Sequence, residues 1–419
     1  MGPGIVVVLT WLGAGDIVDA SVAGAHYGYA LMWVLALALL IRWLFVSQIA
    51  RYQLFNERGE SVLEGLRRLH PFFPPFVMFA TIALCHGVNV YMYQGLADSC
   101  RELVRIFGVP GDGGPVWAWT VGWAIAFWAL LARAAFAQIE KIFLGFLLLL
   151  SVSLLTATAL VRPDPMAILR GTFGFQLPTQ QGAFDPTLVA VSLIGAVAGS
   201  LANLMYPYLM REKGWITPAH RRVQVYDLAL GILVIIVLDL AVWALGAEVL
   251  HPRGLTVENT KDLAGLLTQT LGSIGGVLIY LGVFAAVGSS LVGNALGYSY
   301  MATHAYLLWR PQAAAGDADY RSHPAYQRMV LFGLFSPLIW ILPGSVSFVP
   351  LTVTLNAVQV FLLPILAVAL WILTANERFI GRKSRNSIWE NLGMAAFTLA
   401  AILGALGAGQ SLLGKLVGK

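Results

Sequence analysis

Near the N-terminus an apolar run, Ile5-Val6-Val7-Val8-Leu9-Thr10-Trp11-Leu12, breaks at Gly13-Ala14-Gly15-Asp16 and resumes from Ile17 to Leu31. In hydrocarbon every backbone N–H and C=O must be satisfied internally, so an unwound turn survives only where it faces a protein-lined cavity. A carboxylate at the break sharpens the constraint, because intramembrane ionisable groups are costly and mark sites. The device recurs half a chain later, at Gly195-Ala196-Val197-Ala198-Gly199-Ser200 inside a second long apolar run. Two broken spans at corresponding positions point to a secondary transporter whose site lies between the breaks.

Composition places the chain in a membrane. Of 419 residues, 58% are hydrophobic and 11% charged, and the mean hydropathy is +0.76. Soluble domains carry about 25% charged residues. The formal net charge of +5 comes from basic residues flanking apolar spans, so it does not read as nucleic-acid affinity. Cys85 and Cys100 would stand roughly 22 Å apart on one helix, at about 1.5 Å rise per residue. No disulfide between them, and no redox or metal-thiolate motif, is expected. The first segment lacks the basic start of a cleaved signal peptide, and no lipidation or retention motif closes the chain.

At about 20 apolar residues per span, helices are predicted near 4–26 (broken), 28–50, 72–97, 116–134 and 138–160. A second set follows near 187–209 (broken), 226–248, 274–308, 327–344 and 350–375, and a last span near 390–413. The eleven read as a first five-helix repeat over 1–160, a second over 187–375, and one additional helix over 390–413. Five is odd, so the second repeat starts from the opposite side and is inverted. With a cytoplasmic N-terminus, loops such as 51–68, 211–222 and 378–385 hold about twice the Lys and Arg of the outer ones, as the positive-inside rule requires. The C-terminus is then extracytoplasmic, in a plasma (inner) membrane. Segments 161–186 and 249–273 are expected as outer loops, and 309–326 as an exposed cytoplasmic linker.

Several polar residues fall inside these spans. Asp16 and Asp19 stand three apart at the start of the second half of the first span, hence on one helical face. Paired carboxylates on a cavity suit a hard divalent cation that takes oxygen ligands and keeps waters. They equally suit the cap of a half-helix, where a carboxylate is favoured anyway. In the sixth span Gly195, Ala196, Gly199 and Ser200 leave backbone open to a ligand, and Asn203 is the strong oxygen donor nearby. Asp239 lies mid-span and needs a partner. His86 and Asn89 are candidates for that, or for a proton relay. Asn356 and Gln359 share a face in the tenth span.

The run Ala23-Gly24-Ala25-His26-Tyr27-Gly28-Tyr29-Ala30-Leu31-Met32-Trp33 resembles the junction of helices 1 and 2 in the NRAMP family of divalent-metal transporters. The resemblance continues through Leu69-His70-Pro71, Arg105-Ile106-Phe107-Gly108-Val109-Pro110, the stretch Gly282 to Gly297, and Leu362-Leu363-Pro364. It implies an all-α membrane protein with the LeuT-type inverted repeat (5+5) plus one extra helix. The family's metal-binding Asp-Pro-Gly-Asn then falls on Gly13-Ala14-Gly15-Asp16, so the first Asp is lost and the Asn has become Asp16. The family's helix-6 Ala carbonyl and Met thioether fall on Ala196 and Gly199. Its helix-6 histidine has no match, and its helix-3 acids fall on Cys85, Met92 and Gly95. With the thioether gone, the donors left suit Mg2+, Ca2+ and Mn2+ rather than soft metals. The Asn203-Leu204-Met205-Tyr206-Pro207-Tyr208 and Arg211-Glu212-Lys213-Gly214-Trp215 runs resemble the NRAMP-related magnesium transporters, which lack the proton route.

The expectation is a transporter or facilitator of Mg2+ and/or Mn2+, without proton coupling. Asp16 would be the principal ligand, helped by Asp19, Asn203 and carbonyls near Thr10, Gly13 and Ala196, with Gly199 giving room. His86 and Asp239 are the relay candidates. No cofactor beyond the transported ion, no nucleic acid and no protein partner is read, only a lipid bilayer. A carrier of a small organic solute (amino acid or amine) on the same fold is the alternative. A non-transporting membrane sensor is disfavoured by the retained flexible breaks. An enzyme is not expected, since no nucleophile–base pair or phosphate loop is present.

Overall fold

The structure, a computed structural model, describes residues 13–108, 111–133, 136–180, 182–311, 320–340 and 347–416. Helices dominate. In chain order α1 spans Ala14–Tyr27, α2 Met32–Phe55, α3 Val62–Leu69, α4 Phe73–Ile106, α5 Val116–Ala132, α6 Phe136–Val161 and α7 Pro165–Phe173. Then α8 spans Pro186–Val197, α9 Tyr206–Glu212, α10 Arg221–Leu245, α11 Thr260–Leu271, α12 Ser273–Trp309, α13 Pro324–Phe335, α14 Phe348–Gln359 and α15 Leu363–Ala375. Short α16 (Glu377–Ile380) leads into α17, Ile388–Leu416. Among the described residues eight helical stretches are long and apolar enough to cross a membrane. The other expected spans correspond to α1, to the 17-residue apolar α5, and to α13 with its 3₁₀ continuation Ser336–Trp340.

Where the structure departs from the sequence reading, helix caps explain it. The expected outer loops carry α7 and α11. The Asp164 side chain caps α7 through Met166 N, with Pro165 in the first turn. Asn259 caps α11 in a reciprocal box with Asp262. The loop after α2 likewise holds α3, set by a Ser61–Glu64 capping box and burying Val62, Leu63 and Leu66. Such caps satisfy the orphan N–H groups that open a helix. The tenth span is interrupted at Val360–Leu362, ahead of Pro364, and so divides into α14 and α15.

The structure places the second break, and at the first it describes only the helix that starts beyond it. The first half of span 1, including Thr10, lies outside the described residues. Gly13 caps α1 with extended backbone (φ −84°, ψ 175°), so the helix already runs through Ala14–Asp16 instead of being unwound there. The sixth span opens as expected: α8 ends at Val197, residues 198–200 are irregular, a 3₁₀ turn covers Leu201–Met205, and α9 follows. Two close approaches hold the centre. A Cβ on Gly195 would fall 1.8 Å from the Asn356 carbonyl oxygen, so α8 and α14 meet backbone to backbone. A Cβ on Gly24 would lie 2.5 Å from the Trp243 carbonyl, seating α1 against α10.

Candidate functional site

Asp16 stands in the first turn of α1, where unpaired N–H groups favour a carboxylate. It is 5% exposed, and its Oδ2 is buried without a hydrogen-bond partner among the described residues. It faces a cavity of about 430 Å³ lined also by Gly13 and Gly15, by Arg42 of α2, by Tyr91 and Met92 of α4, and by Ala196 and Ser200 at the second break. Asn294 and Tyr298 of α12 and Asn356 and Gln359 of α14 complete the polar wall.

Asp19 lies one turn on and does not reach the cavity wall, because both its oxygens are taken. Ser192 Oγ donates to Oδ1 at 2.7 Å and Asn356 Nδ2 to Oδ2 at 2.9 Å. That bond turns the Asn356 oxygen the other way, where Gln359 Nε2 (3.1 Å) and Tyr91 OH (3.4 Å) donate to it. Asp19 therefore positions a cavity amide rather than lining the cavity itself. Asn203 also stays off the wall. Its Nδ2 donates to the carbonyls of Ala198 (3.0 Å) and Val197 (3.4 Å), filling the role of a cap on the open end of α8. Gly199 faces inward too: a Cβ there would lie 3.1 Å from Gly195, so a side chain at this position would press on α8 backbone.

The Ala196 carbonyl, expected for the ion, accepts from Arg42 Nη2 at 2.9 Å, and Arg42 Nε donates to the Val197 carbonyl. Arg42 is 1% exposed and interacts electrostatically with Asp16 and with Asp239 of α10. Asp239 is buried beside this group, its Oδ2 without a hydrogen-bond partner among the described residues. The suggested relay is not assembled. His86 Nδ1 pairs with Ser336 Oγ at 2.8 Å and its Nε2 accepts from Trp340 at 2.8 Å, while Asn89 donates to the Gly333 carbonyl. Those contacts tie α4 to α13 and its 3₁₀ continuation, and none reaches Asp239.

Sequence reasoning missed Arg42 and Met92. A lone arginine in an otherwise apolar span was the available signal for the first, since such a residue must face the bundle interior. Met92 had none of its own: its thioether lines the cavity from α4 while the lost family thioether was sought on span 6, and Asn294 Nδ2 donates to its sulfur at 3.5 Å. Among the described residues no three His, Cys, Asp or Glu side chains form a metal cluster. The cavity therefore offers one carboxylate with amides and hydroxyls, beside the Arg42 guanidinium and the Met92 thioether, and its oxygen donors are of the kind that suits a hard divalent ion.

A membrane-spanning bundle in which a helix start and a helix break meet at one polar cavity has the architecture of the LeuT-type fold. Solved structures share the fold. A manganese transporter of Eremococcus coleocola superposes with a TM-score of 0.74 at 14% identity, covering 99% of this chain and 87% of the other. MhsT in complex with L-phenylalanine gives 0.54 at 15% identity over 98% of each chain. The chain belongs to the Nramp family, whose model, described as natural resistance-associated macrophage protein-like, matches residues 4–408. It is similar to the divalent metal cation transporter MntH of Bacillus subtilis (23% identity, 97% of this chain, 90% of that protein). The MntH of Deinococcus radiodurans is 27% identical over 71% of this chain and 67% of its own length. Membership sets the chain among multi-pass membrane transport proteins rather than enzymes.

Proposed function

We propose that the protein moves hard divalent cations, Mn2+ and Mg2+, into the cell by alternating access, without stoichiometric proton movement. The observation that carries this reading is Asp16: a buried carboxylate at a helix start, one oxygen unpartnered among the described residues, facing a cavity whose wall carries amide and hydroxyl oxygens beside the Arg42 guanidinium and the Met92 thioether. Relatives described as divalent metal cation transporters support the substrate class. The replaced helix-3 acids and the separation of His86 from Asp239 favour uptake driven by gradient and membrane potential. For a divalent ion 100 mV supplies about 4.6 kcal/mol, at roughly 2.3 per charge. With a cytoplasmic N-terminus, the two repeats rock about the site.

The test is uptake into liposomes across a panel of Mg2+, Mn2+, Ca2+, Cd2+ and amino acids, with Asp16→Ala beside the wild type. Mn2+ and Mg2+ uptake that Asp16→Ala abolishes is expected. Uptake of an amino acid and of no metal would replace this reading with the organic-solute one.

A further inference from the structure

Two walls leave the cavity at Asp16 in the same direction: the 3₁₀ turn Leu201–Met205 with α9, and the last part of α12. Ala202 on the first and Tyr298 on the second both line that cavity. Six residues beyond each of them the walls meet again, where Tyr208 OH pairs with His304 Nδ1 at 2.8 Å. Six residues of α-helix span about 9 Å, which sets the pair's distance from Tyr298 along α12. A second cavity, of about 380 Å³, takes in Leu204 and Pro207 from the first wall, Met301 from the second, and Leu66 of α3. The His304 imidazole is 1% exposed, and Tyr320 of the turn before α13 stacks on it with ring centres 4.5 Å apart. Tyr300 meets the Tyr208 ring edge-on at 5.1 Å. The Arg321 guanidinium lies 5.5 Å from the Tyr300 ring centre and forms an ion pair with Glu212, the last residue of α9.

We propose that the Tyr208–His304 pair, with Tyr320 and the Arg321–Glu212 ion pair around it, is a latch that closes the α9 side of the transport cavity, and that the substrate passes on that side when α9 parts from α12. The kind of contact supports this as much as its place. Alternating access needs, on each side of the site, a closure that comes apart without unfolding the bundle. One hydrogen bond, stacked and edge-on rings and an exposed ion pair can part and re-form. The backbone contact of α8 with α14 at Gly195 has no such freedom. On its other flank α9 is held to α10, where Gln224 Nε2 donates to Tyr206 OH at 3.2 Å, so the latch is what joins this flank to α12. The inference rests on the alternating-access reading proposed above.

A cysteine at Leu204, inside the latch, reports whether it is open. The full-length protein carrying Leu204→Cys is labelled with a charged, water-soluble methanethiosulfonate; Cys85 and Cys100 are buried, and the parent protein gives the background. Adding Tyr208→Phe, which removes only the hydroxyl, should speed labelling about threefold to tenfold, the factor set by one hydrogen bond. Glu212→Arg should speed it about twofold to fivefold, and adding Arg321→Glu, which restores the ion pair in reverse, should return the rate to that of Leu204→Cys alone. Leu263→Cys on α11, buried beyond the other end of α12, is the control for general loosening and should label no faster with Tyr208→Phe. Unchanged labelling at position 204, an equal rise at position 263, or a charge-reversed pair that labels as fast as Glu212→Arg overturns the latch. If Tyr208→Phe does not fold, the Glu212 and Arg321 variants, both exposed, decide alone. Absence of metal uptake by the wild-type protein in liposomes would overturn the proposed function and this inference with it, whereas normal uptake with unmoved labelling overturns the latch alone.

Discussion

Replacing Gly195 by Ala tests how tightly the second break is tied to the cavity wall. The added Cβ would sit 1.8 Å from the Asn356 carbonyl oxygen and 2.7 Å from its carbon. The obstacle is backbone, so no rotamer change relieves it. Reaching an ordinary contact of about 3.4 Å requires α8 and α14 to part by roughly 1.6 Å, and overpacking of this kind costs about 1–3 kcal/mol. Taken up by α14, the same displacement carries Asn356 away from Asp19 on α1 and stretches their 2.9 Å bond past the range of a hydrogen bond. The cavity amide then loses its orientation. Misplacements of about 1 Å in a site cost about a hundredfold in rate, so Mn2+ uptake into liposomes should fall by about that factor and the melting temperature in detergent by several degrees. Gly145→Ala on α6, where nothing lies within 4 Å, is the control and should change neither. Wild-type melting and uptake in Gly195→Ala would refute the backbone contact and the route from it to the site.

Asp19→Asn should lower Mn2+ affinity about tenfold to a hundredfold, measured by calorimetry, because the group that orients the Asn356 amide on the cavity wall is lost; unchanged affinity would detach Asp19 from the site. Met92→Leu should lower Cd2+ uptake several-fold against Mg2+, since a thioether favours the softer ion; an unaltered ratio would place the sulfur out of reach of the ion. His86→Ala should leave Mn2+ uptake within about twofold, and a pH dye inside the liposomes should show no metal-dependent acidification in either protein. Acidification that vanishes in this variant would establish a proton route through a residue that here binds Ser336 and Trp340.

The architecture was largely legible because hydrocarbon imposes strong rules on sequence. Span lengths and the paired glycine breaks depend on local composition alone, and they located α2, α4 and α12 and the opening after Val197. The short α3, α7 and α11 escaped a search for long apolar runs, although Ser61, Asp164 and Asn259 carry the cap signals that start them. The site was half legible. Asp16 and the amides of Asn356 and Gln359 follow from position and face, and they do line the cavity. The roles of Asp19, Asn203 and Arg42 depend on partners more than 150 residues away or on the geometry of the open turn. No helical period encodes such contacts. For the same reason the sequence suggested His86 as a partner for Asp239, when α13 and the turn after it claim the imidazole.

On the proposed function the transported ion sits on Asp16, inside the cavity that Asp16 shares with the second break. Anomalous scattering from crystals of the protein soaked in Mn2+ tests it most directly. One strong peak is expected between about 2.0 and 2.6 Å from an Asp16 carboxylate oxygen, lost in Asp16→Ala. A Mn2+ peak elsewhere in the bundle that persists in Asp16→Ala, with none at Asp16, would contradict it.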